Sequence, residues 1–139
     1  MENENFDIKT IAMLVNRLGL LCEGFDEVNK NAVMTAKFKV LLVLSQEEKV
    51  APAVLKQVVG LAKSNVALLC NKLLDEGLIE KYKDSFDNRA IYYSITNLGL
   101  AELNKNLAQM NKNFKNELEY KNNLDEISKI SKKLWELVK

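Results

Sequence analysis

The stretch from Leu61 to Thr96 constrains the fold more than any other part of the chain, because a helical pattern is followed at once by a strand pattern. Between Lys63 and Glu76, apolar residues recur at three- and four-residue spacing, which predicts an amphipathic helix. Its buried face would contain Val66, Leu69, Cys70, Leu73 and Leu74. Gly77 is expected to end this helix, because glycine readily adopts the left-handed conformation found just beyond helix C-termini.

Two β-branched and aromatic segments follow the glycine and predict a hairpin. Residues 78–83 and 91–96 have strand propensity, and a polar link over residues 84–90 joins them. Arg89, one of two arginines in the chain, lies on this link beside Asp87 and Asn88. A planar cation at the tip of a hairpin suits a narrow, negative minor groove of DNA. We expect the carboxylate of Asp87 to orient this tip by holding the guanidinium of Arg89.

A second helical pattern precedes the first and predicts a helix-turn-helix. It begins with Pro52, a residue favoured at the first helical position, and ends at Gly60. In such a pair the first helix crosses the DNA backbone and the second enters the major groove. Lys56 would lie on the outer side of the first helix, within reach of phosphate, with a solvated helix face as the alternative. Ala62 offers no side-chain cap to the second helix, so its cap must come from Ser64 or be missing.

Small, amide and cationic side chains on the outer face of the second helix can contact base edges and phosphates. The candidates there are Lys63, Ser64, Asn65, Ala67, Leu68, Asn71 and Lys72. Leu68 stands where a polar or basic residue is expected, which weakens any prediction of the bases that are read. Lys56 on the first helix, Lys81 and Lys83 on the first strand, and Asn88 and Arg89 on the link complete the set of candidate DNA contacts.

Further amphipathic patterns lie on both sides of this region. From Ile8 to Val28, steps of three and four predict a helix of about six turns. Its apolar stripe is broad, and we favour a partner subunit over packing within its own domain. Thr35 is expected to cap a central buried helix containing Phe38 and the apolar run 40–44.

Two helices are predicted after the hairpin. Thr96 is expected to cap the first, whose apolar face carries Leu103, Leu107, Met110, Phe114 and Leu118. Residues 120–123 interrupt the pattern. The last helix places Leu124, Ile127, Ile130, Leu134, Leu137 and Val138 on one side, with Trp135 nearby.

Three motifs in this order resemble the MarR-type winged-helix transcriptional regulators. They are the helix end over residues 73–79, the turn Asp87-Asn88-Arg89, and the exit over residues 95–99. Their order and spacing fit the family's pattern of L-x-x-x-G-L-[IV], D-x-R and L-T-x-x-G, with Ile95 at the leucine position of the last motif. The resemblance implies one domain over residues 1–139, with a winged helix-turn-helix lobe at 35–96 and dimerisation helices at 6–31 and 97–139. It further implies a homodimeric regulator, expected to be a repressor, that binds double-stranded DNA at a pseudo-palindromic operator. A small-molecule effector is a candidate further partner, in a pocket between the dimer helices and the DNA-binding lobe.

Composition excludes several other classes of function. The chain has 139 residues, a net charge of +1 and no histidine, so the commonest general base and the commonest nitrogen ligand for metals are both missing. The sequence contains no Gly-rich phosphate loop, C-x-x-C pair or acidic calcium loop. We therefore expect no enzyme, cofactor or metal site. The acidic N-terminus lacks a secretory pattern, which favours a cytoplasmic protein with no membrane partner and with reduced thiols.

Two alternative functions remain open at this level. Weak net charge and an apolar residue at position 68 fit a winged helix that binds proteins rather than specific DNA. Cys22, on the apolar face of the first helix, would allow a thiol-based redox sensor, although its neighbour Glu23 does not favour a reactive thiolate. Cys70 is expected to be a small core residue. The tyrosines at positions 82, 92 and 93 could stack on nucleic acid, but packing across the hairpin is favoured.

Overall fold

A computed structural model describes residues 8–20, 35–87, 89–113 and 123–138, and the chain divides into two compact units, Met1–Met34 and Thr35–Lys139. In the first unit, residues 8–20 form helix α1, and its side chains are exposed except for the half-buried Leu18. The predicted N-terminal helix is thus confirmed over these residues. Its continuation to Val28, including Cys22, lies outside the described residues.

The second unit contains five helices and one hairpin within its described residues. The elements are α2 (Ala36–Gln46), α3 (Pro52–Val59), α4 (Lys63–Asp75), β1 (Ile79–Lys83), β2 (Ile91–Ile95), α5 (Asn97–Asn113) and α6 (Leu124–Val138). This order confirms the predicted fold class, which is mainly α-helical with a small β-hairpin wing. The assignment of one domain with dimerisation helices at both ends stays a prediction.

Helix α2 forms the centre of the core. Its N-terminus is capped as predicted, because the Thr35 hydroxyl accepts a hydrogen bond of 3.2 Å from the backbone N–H of Phe38. Its apolar side chains pack against α3, α5 and β2. The buried members are Phe38, Val40, Leu41, Val43 and Leu44. The apolar run at 40–44 therefore marked the buried helix correctly.

Helices α3 and α4 end where glycines permit a left-handed backbone. Gly60 and Gly77 have φ values of 74° and 75°. After α4 the Leu78 N–H donates to the Leu73 carbonyl and the Gly77 N–H to the Leu74 carbonyl, each over 3.0 Å. This pair of bonds is the Schellman motif, which turns the chain sharply from α4 into β1.

The wing is an antiparallel hairpin to which a third segment is attached. Ile79 pairs with Ile95 at its base and Lys83 pairs with Ile91 near its tip. Val50, just before α3, exchanges two backbone hydrogen bonds with Tyr93 in β2, with N–O distances of 2.9 and 2.8 Å. The loop between α2 and α3 is therefore fixed to the wing, which sets the position of α3 beside it.

The side chain and backbone of Thr96 join three elements at the base of the wing. The Thr96 hydroxyl donates to the carbonyl of Gly77 over 2.7 Å and accepts from the N–H of Gly99 over 3.0 Å. Its backbone N–H donates to the carbonyl of Leu78 over 3.1 Å. Thr96 thus caps α5, as predicted, and holds the end of β2 against the turn that follows α4.

Helices α5 and α6 differ in how far their apolar faces are covered. Leu103 and Met110 of α5 are buried as predicted, but Leu107 of the same predicted face is exposed. In α6 the Trp135 indole Nε1–H donates to the Glu47 carboxylate over 2.7 Å. The apolar stripe of this helix is nevertheless exposed at Leu124, Ile127, Ile130 and Leu137. The predicted positions 114 and 118 and most of the interruption at 120–123 lie outside the described residues.

None of the described helices is individually long and apolar enough to cross a bilayer. Helices α3 and α4 reach that length and composition only if they are joined, and they are bent by 107° at their break.

Gly99 provides a test of the contact at the base of the wing. A Cβ atom at this position would overlap the carbonyl oxygen of Leu78 and lie 2.9 Å from Cγ1 of Ile95. Gly99→Ala should therefore destabilise the fold by roughly 1–3 kcal/mol or more, as overpacking does. Thermal unfolding followed by circular dichroism measures this loss. Gly19→Ala is the matched control, because its helical position shows no described atom within 4 Å of the added Cβ. Equal melting temperatures for the two variants would contradict the predicted close contact.

Candidate nucleic-acid interface

The outer face of α4 is open to solvent along its whole length. Burial of Val66, Cys70 and Leu73 fixes the rotation of the helix about its axis. All seven predicted contact residues of α4 then lie on the exposed side, namely Lys63, Ser64, Asn65, Ala67, Leu68, Asn71 and Lys72. The N-cap residue of α4, Ala62, supplies no side-chain hydrogen bond to the first turn of the helix.

A groove of about 770 Å³ runs between α3, α4 and the wing. Four cationic side chains line it, Lys56 from α3, Lys63 from α4, Lys81 from β1 and Arg89 from the link. No carboxylate is among its described lining residues. Pro52, Ala53, Ile91 and Tyr92 contribute to its walls. The groove is thus a cationic surface although the whole chain is nearly neutral.

Two aspartates shape the link at the tip of the wing. Asp84 Oδ1 accepts from the N–H of Phe86 over 2.9 Å, and Asp87 Oδ1 accepts from the N–H of Arg89 over 3.0 Å. The Ala90 carbonyl accepts from the N–H of Asp84 and closes the link. In the described part of the chain, the Arg89 guanidinium forms no salt bridge. The expected contact between Asp87 and this guanidinium is therefore replaced by a hydrogen bond to the backbone N–H of Arg89. This bond fixes the backbone of Arg89 and leaves its guanidinium unheld by Asp87.

The structure brings together only part of the predicted contact set. Ala67 and Asn71 line the groove together with its four cations. Ser64, Asn65, Leu68, Lys72 and Lys83 are exposed but do not line it. Asn88 lies outside the described residues. The described contacts on α3, α4 and the link therefore lie either in the groove beside the wing or on the outer face of α4, while Lys83 lies on β1 outside both.

Phe86 is an exposed residue that the sequence analysis did not select. Its side chain is 99% exposed at the tip of the wing. A single aromatic residue within the polar link 84–90 was the available signal. Because isolated apolar side chains are common on protein surfaces, this exposure does not by itself assign a role.

The three wing tyrosines differ in their surroundings. Tyr82 and Tyr92 are direct cross-strand partners, and Tyr93 is buried. The Tyr82 hydroxyl donates to the Glu80 carboxylate over 2.5 Å, and Lys49 Nζ lies 5.4 Å from the centre of its ring. These contacts agree with packing across the hairpin, which was the favoured interpretation.

Cys70 is a fully buried thiol. Burial raises its pKa, and a hydrogen bond with Tyr93 opposes this shift only in part. Burial likewise raises the pKa of the Tyr93 phenol, with a smaller contribution from Cys70. Its burial makes Cys70 a core residue, as predicted, and the raised pKa disfavours the reactive thiolate. Within the described ranges, no three acidic, cysteine or histidine side chains cluster in a way that could hold a metal ion.

Comparison with known families identifies the central part of the chain. Residues 36–114 match the family model of the winged helix DNA-binding domain. This segment covers α2 through the described end of α5 and more than half of the chain. No curated protein matches the chain in sequence.

Several solved structures share the fold. Wild-type MarR from E. coli is similar with 20% identity and a TM-score of 0.61, covering 91% of this chain and 97% of that chain. The transcriptional regulator BldR from Sulfolobus solfataricus has 20% identity and a TM-score of 0.60, with the same two coverages, 91% and 97%. BpsR from Bordetella bronchiseptica, whose DNA binding is regulated by 6-hydroxynicotinic acid, has 16% identity and a TM-score of 0.54 and covers 76% of each chain. The fold of this chain is that of the MarR-type regulators.

The buried thiol leads to a prediction about reactivity. In a Cys22→Ser variant, Cys70 should react with a disulfide reagent roughly a hundredfold or more slowly than in the unfolded chain, because the reagent needs an opening of the core. Because the reagent reaches the thiol only after this opening, the rate should stay far below that of the unfolded chain at each pH, and it should increase with pH as the thiolate fraction of the opened state increases. Reaction is followed by the absorbance of the released thiolate. Rapid labelling of the folded variant at pH 7 would contradict the buried position.

Proposed function

This chain belongs to the winged helix DNA-binding domain family, and on that premise we propose that it is a homodimeric transcription regulator that represses by binding a pseudo-palindromic operator. The observation that carries the proposal is the cationic groove between α4 and the wing. Lys56, Lys63, Lys81 and Arg89 converge there from four segments of the chain, and no described carboxylate lines the same surface. A polyanion such as duplex DNA is the partner that this charge distribution suits.

The proposed docking places α4 in the major groove. Its outer face presents amides, a hydroxyl and lysines, which are groups that contact base edges and phosphates. The N-terminus of α4, where Ala62 provides no side-chain cap, would receive a DNA phosphate, since the first-turn N–H groups and the helix dipole both favour an anion there. Lys56 on α3 would contact the backbone beside it.

The wing would reach the adjacent minor groove. Arg89 lies at its tip on a link that the two aspartates hold by backbone contacts. The guanidinium of Arg89 has no salt bridge to a described carboxylate, which leaves it available to the negative potential of a narrow minor groove. Lys81 and Lys83 on β1 would contact phosphates along the same ribbon.

The dimeric part of the proposal is supported by exposed apolar stripes. Leu124, Ile127 and Ile130 of α6 face solvent, and so do Ile8 and Ile11 of α1 within its own unit. Apolar stripes of this size on amphipathic helices are typical of surfaces that a second subunit covers. A two-fold symmetric dimer then matches two operator half-sites.

A small-molecule effector that releases the operator completes the proposal. Its support is the structural similarity to BpsR, whose DNA binding responds to 6-hydroxynicotinic acid.

Arg89→Ala tests the wing. We expect it to weaken binding to a duplex selected from a random library by tenfold or more, on the order of 1.4 kcal/mol, while the melting temperature stays nearly unchanged. Fluorescence anisotropy at two salt concentrations provides the measurement, and loss of a contact to the DNA backbone should also flatten the salt dependence. Lys105→Ala on α5 removes one cation outside the groove and is the matched control. Unchanged affinity for the Arg89 variant would remove the wing from the mechanism.

Two substitutions of Asp87 separate its charge from its hydrogen bond in the same assay. Asp87→Ala removes the acceptor for the Arg89 N–H and should weaken binding, because the tip loses its fixed geometry. Asp87→Asn keeps an acceptor and removes a negative charge near phosphate, so it should bind at least as tightly as the parent. Tighter binding by both variants would show that Asp87 acts only through repulsion.

The proposed assembly is tested by sedimentation at micromolar concentration. The parent should sediment with twice the chain mass of 15.8 kDa. Ile130→Asp should shift it toward the monomer, because a carboxylate would be buried in the apolar interface. Lys132→Asp, about 200° away around α6, should leave the dimer intact. A monomeric parent would exclude the mechanism with two half-sites.

A further inference from the structure

Leu68 occupies the centre of the outer face of α4. At about 100° per residue, its direction is nearly opposite to the mean direction of the buried residues Val66, Cys70 and Leu73. Its side chain is 68% exposed. An exposed leucine is unremarkable in most places on a protein. Leu68, however, lies at the middle of the outer face of α4, and in the proposed function this face enters the major groove.

Two amides flank this leucine. Asn65 and Asn71 are three residues before and after it, so they lie about 60° to either side on the same face. Both are exposed. Asparagine pairs through two hydrogen bonds with the N6 and N7 atoms of adenine. The outer row of α4 therefore alternates amide, apolar and amide groups along the helix.

The same segment lacks the groups that read guanine or cytosine. Guanine is most often recognised by arginine or lysine at O6 and N7, and cytosine by a carboxylate at N4. From Lys63 to Lys72 the sequence contains no arginine and no acidic residue, and its two lysines lie at the ends of the segment. The centre of the reading face thus offers partners for A·T pairs and none of the charged partners for G·C pairs.

We propose that Leu68 is a specificity-determining residue that contacts the 5-methyl groups of thymines, with Asn65 and Asn71 pairing with nearby adenines. The inference rests on the proposed DNA-binding function and specifies its ligand as an operator with A·T pairs at the centre of each half-site. The 5-methyl group of thymine is the apolar feature of the major groove, so it is the part of a base edge that gains from contact with an exposed leucine. This contact transfers apolar surface out of water on both molecules.

The test begins with a duplex selected by the parent protein from a random library, which should contain A·T pairs under α4. Thymines in those half-sites are then replaced one at a time by deoxyuridine, which keeps base pairing and removes only the methyl group. We expect parent binding to weaken about fourfold for each methyl that Leu68 contacts, the factor that corresponds to one buried methyl group.

The variant Leu68→Ala assigns the effect to this side chain. It should bind the thymine duplex more weakly than the parent and lose little or nothing further on the deoxyuridine duplex. Its salt dependence should equal that of the parent, because no phosphate contact is removed. Leu98→Ala, at another exposed leucine on α5, is the matched control and should match the parent on both duplexes. Alanine is a strong helix former, so neither change should disturb its helix.

Three results would overturn the inference while leaving DNA binding intact. They are a selected site with G·C pairs under α4, equal parent affinity for the thymine and deoxyuridine duplexes, or full methyl sensitivity in Leu68→Ala. Failure of the proposed function has a different signature, in which no duplex is enriched and the parent binds none with salt-dependent affinity. That last result would overturn both proposals.

Discussion

The hydrogen bonds of Thr96 hold helix α4 and the wing in a fixed relative geometry. Its hydroxyl connects the turn after α4 to the start of α5, and its backbone connects the same turn to β2. Because the wing leaves α4 through only three residues, a small change at this junction would be amplified along the hairpin. The close approach of Gly99 to the Leu78 carbonyl explains why the motif includes a glycine three residues after the threonine.

This junction also explains how a nearly neutral chain presents a cationic surface. The turn directs the hairpin back past α4, and the Val50–Tyr93 bridge holds the start of α3 against the wing. Lys56, Lys63 and Lys81 then face one groove together with Arg89. The described residues that line this groove include no carboxylate, and the carboxylate of Asp87 beside Arg89 is hydrogen-bonded to the backbone. Local separation of charge, rather than net charge, creates the surface.

The sequence was a good guide wherever a local rule decides the structure. The glycines at 60 and 77, the cap at Thr35 and the strands of the wing agree with their predictions because they depend on backbone preference and periodicity over a few residues. The predicted contact between Asp87 and the Arg89 guanidinium is replaced by a bond to the Arg89 N–H. A short aspartate side chain reaches the backbone amide two residues ahead more readily than it reaches the end of an arginine side chain. Phe86 was passed over because no pattern distinguishes an exposed aromatic residue from one that folds back onto the hairpin.

The amino-acid sequence by itself determined the helix-turn-helix, the hairpin and the set of residues that share the outer face of α4, because each follows from the spacing of apolar residues along one element. Tertiary structure decided which of those contacts share a surface. Lys56 and Arg89 are 33 positions apart, and only the packing of α3, α4 and the wing around α2 brings both to one groove. It also decided that the outer face of α4 stays exposed, with Leu68 68% exposed, because the buried residues of this helix all lie on its opposite face.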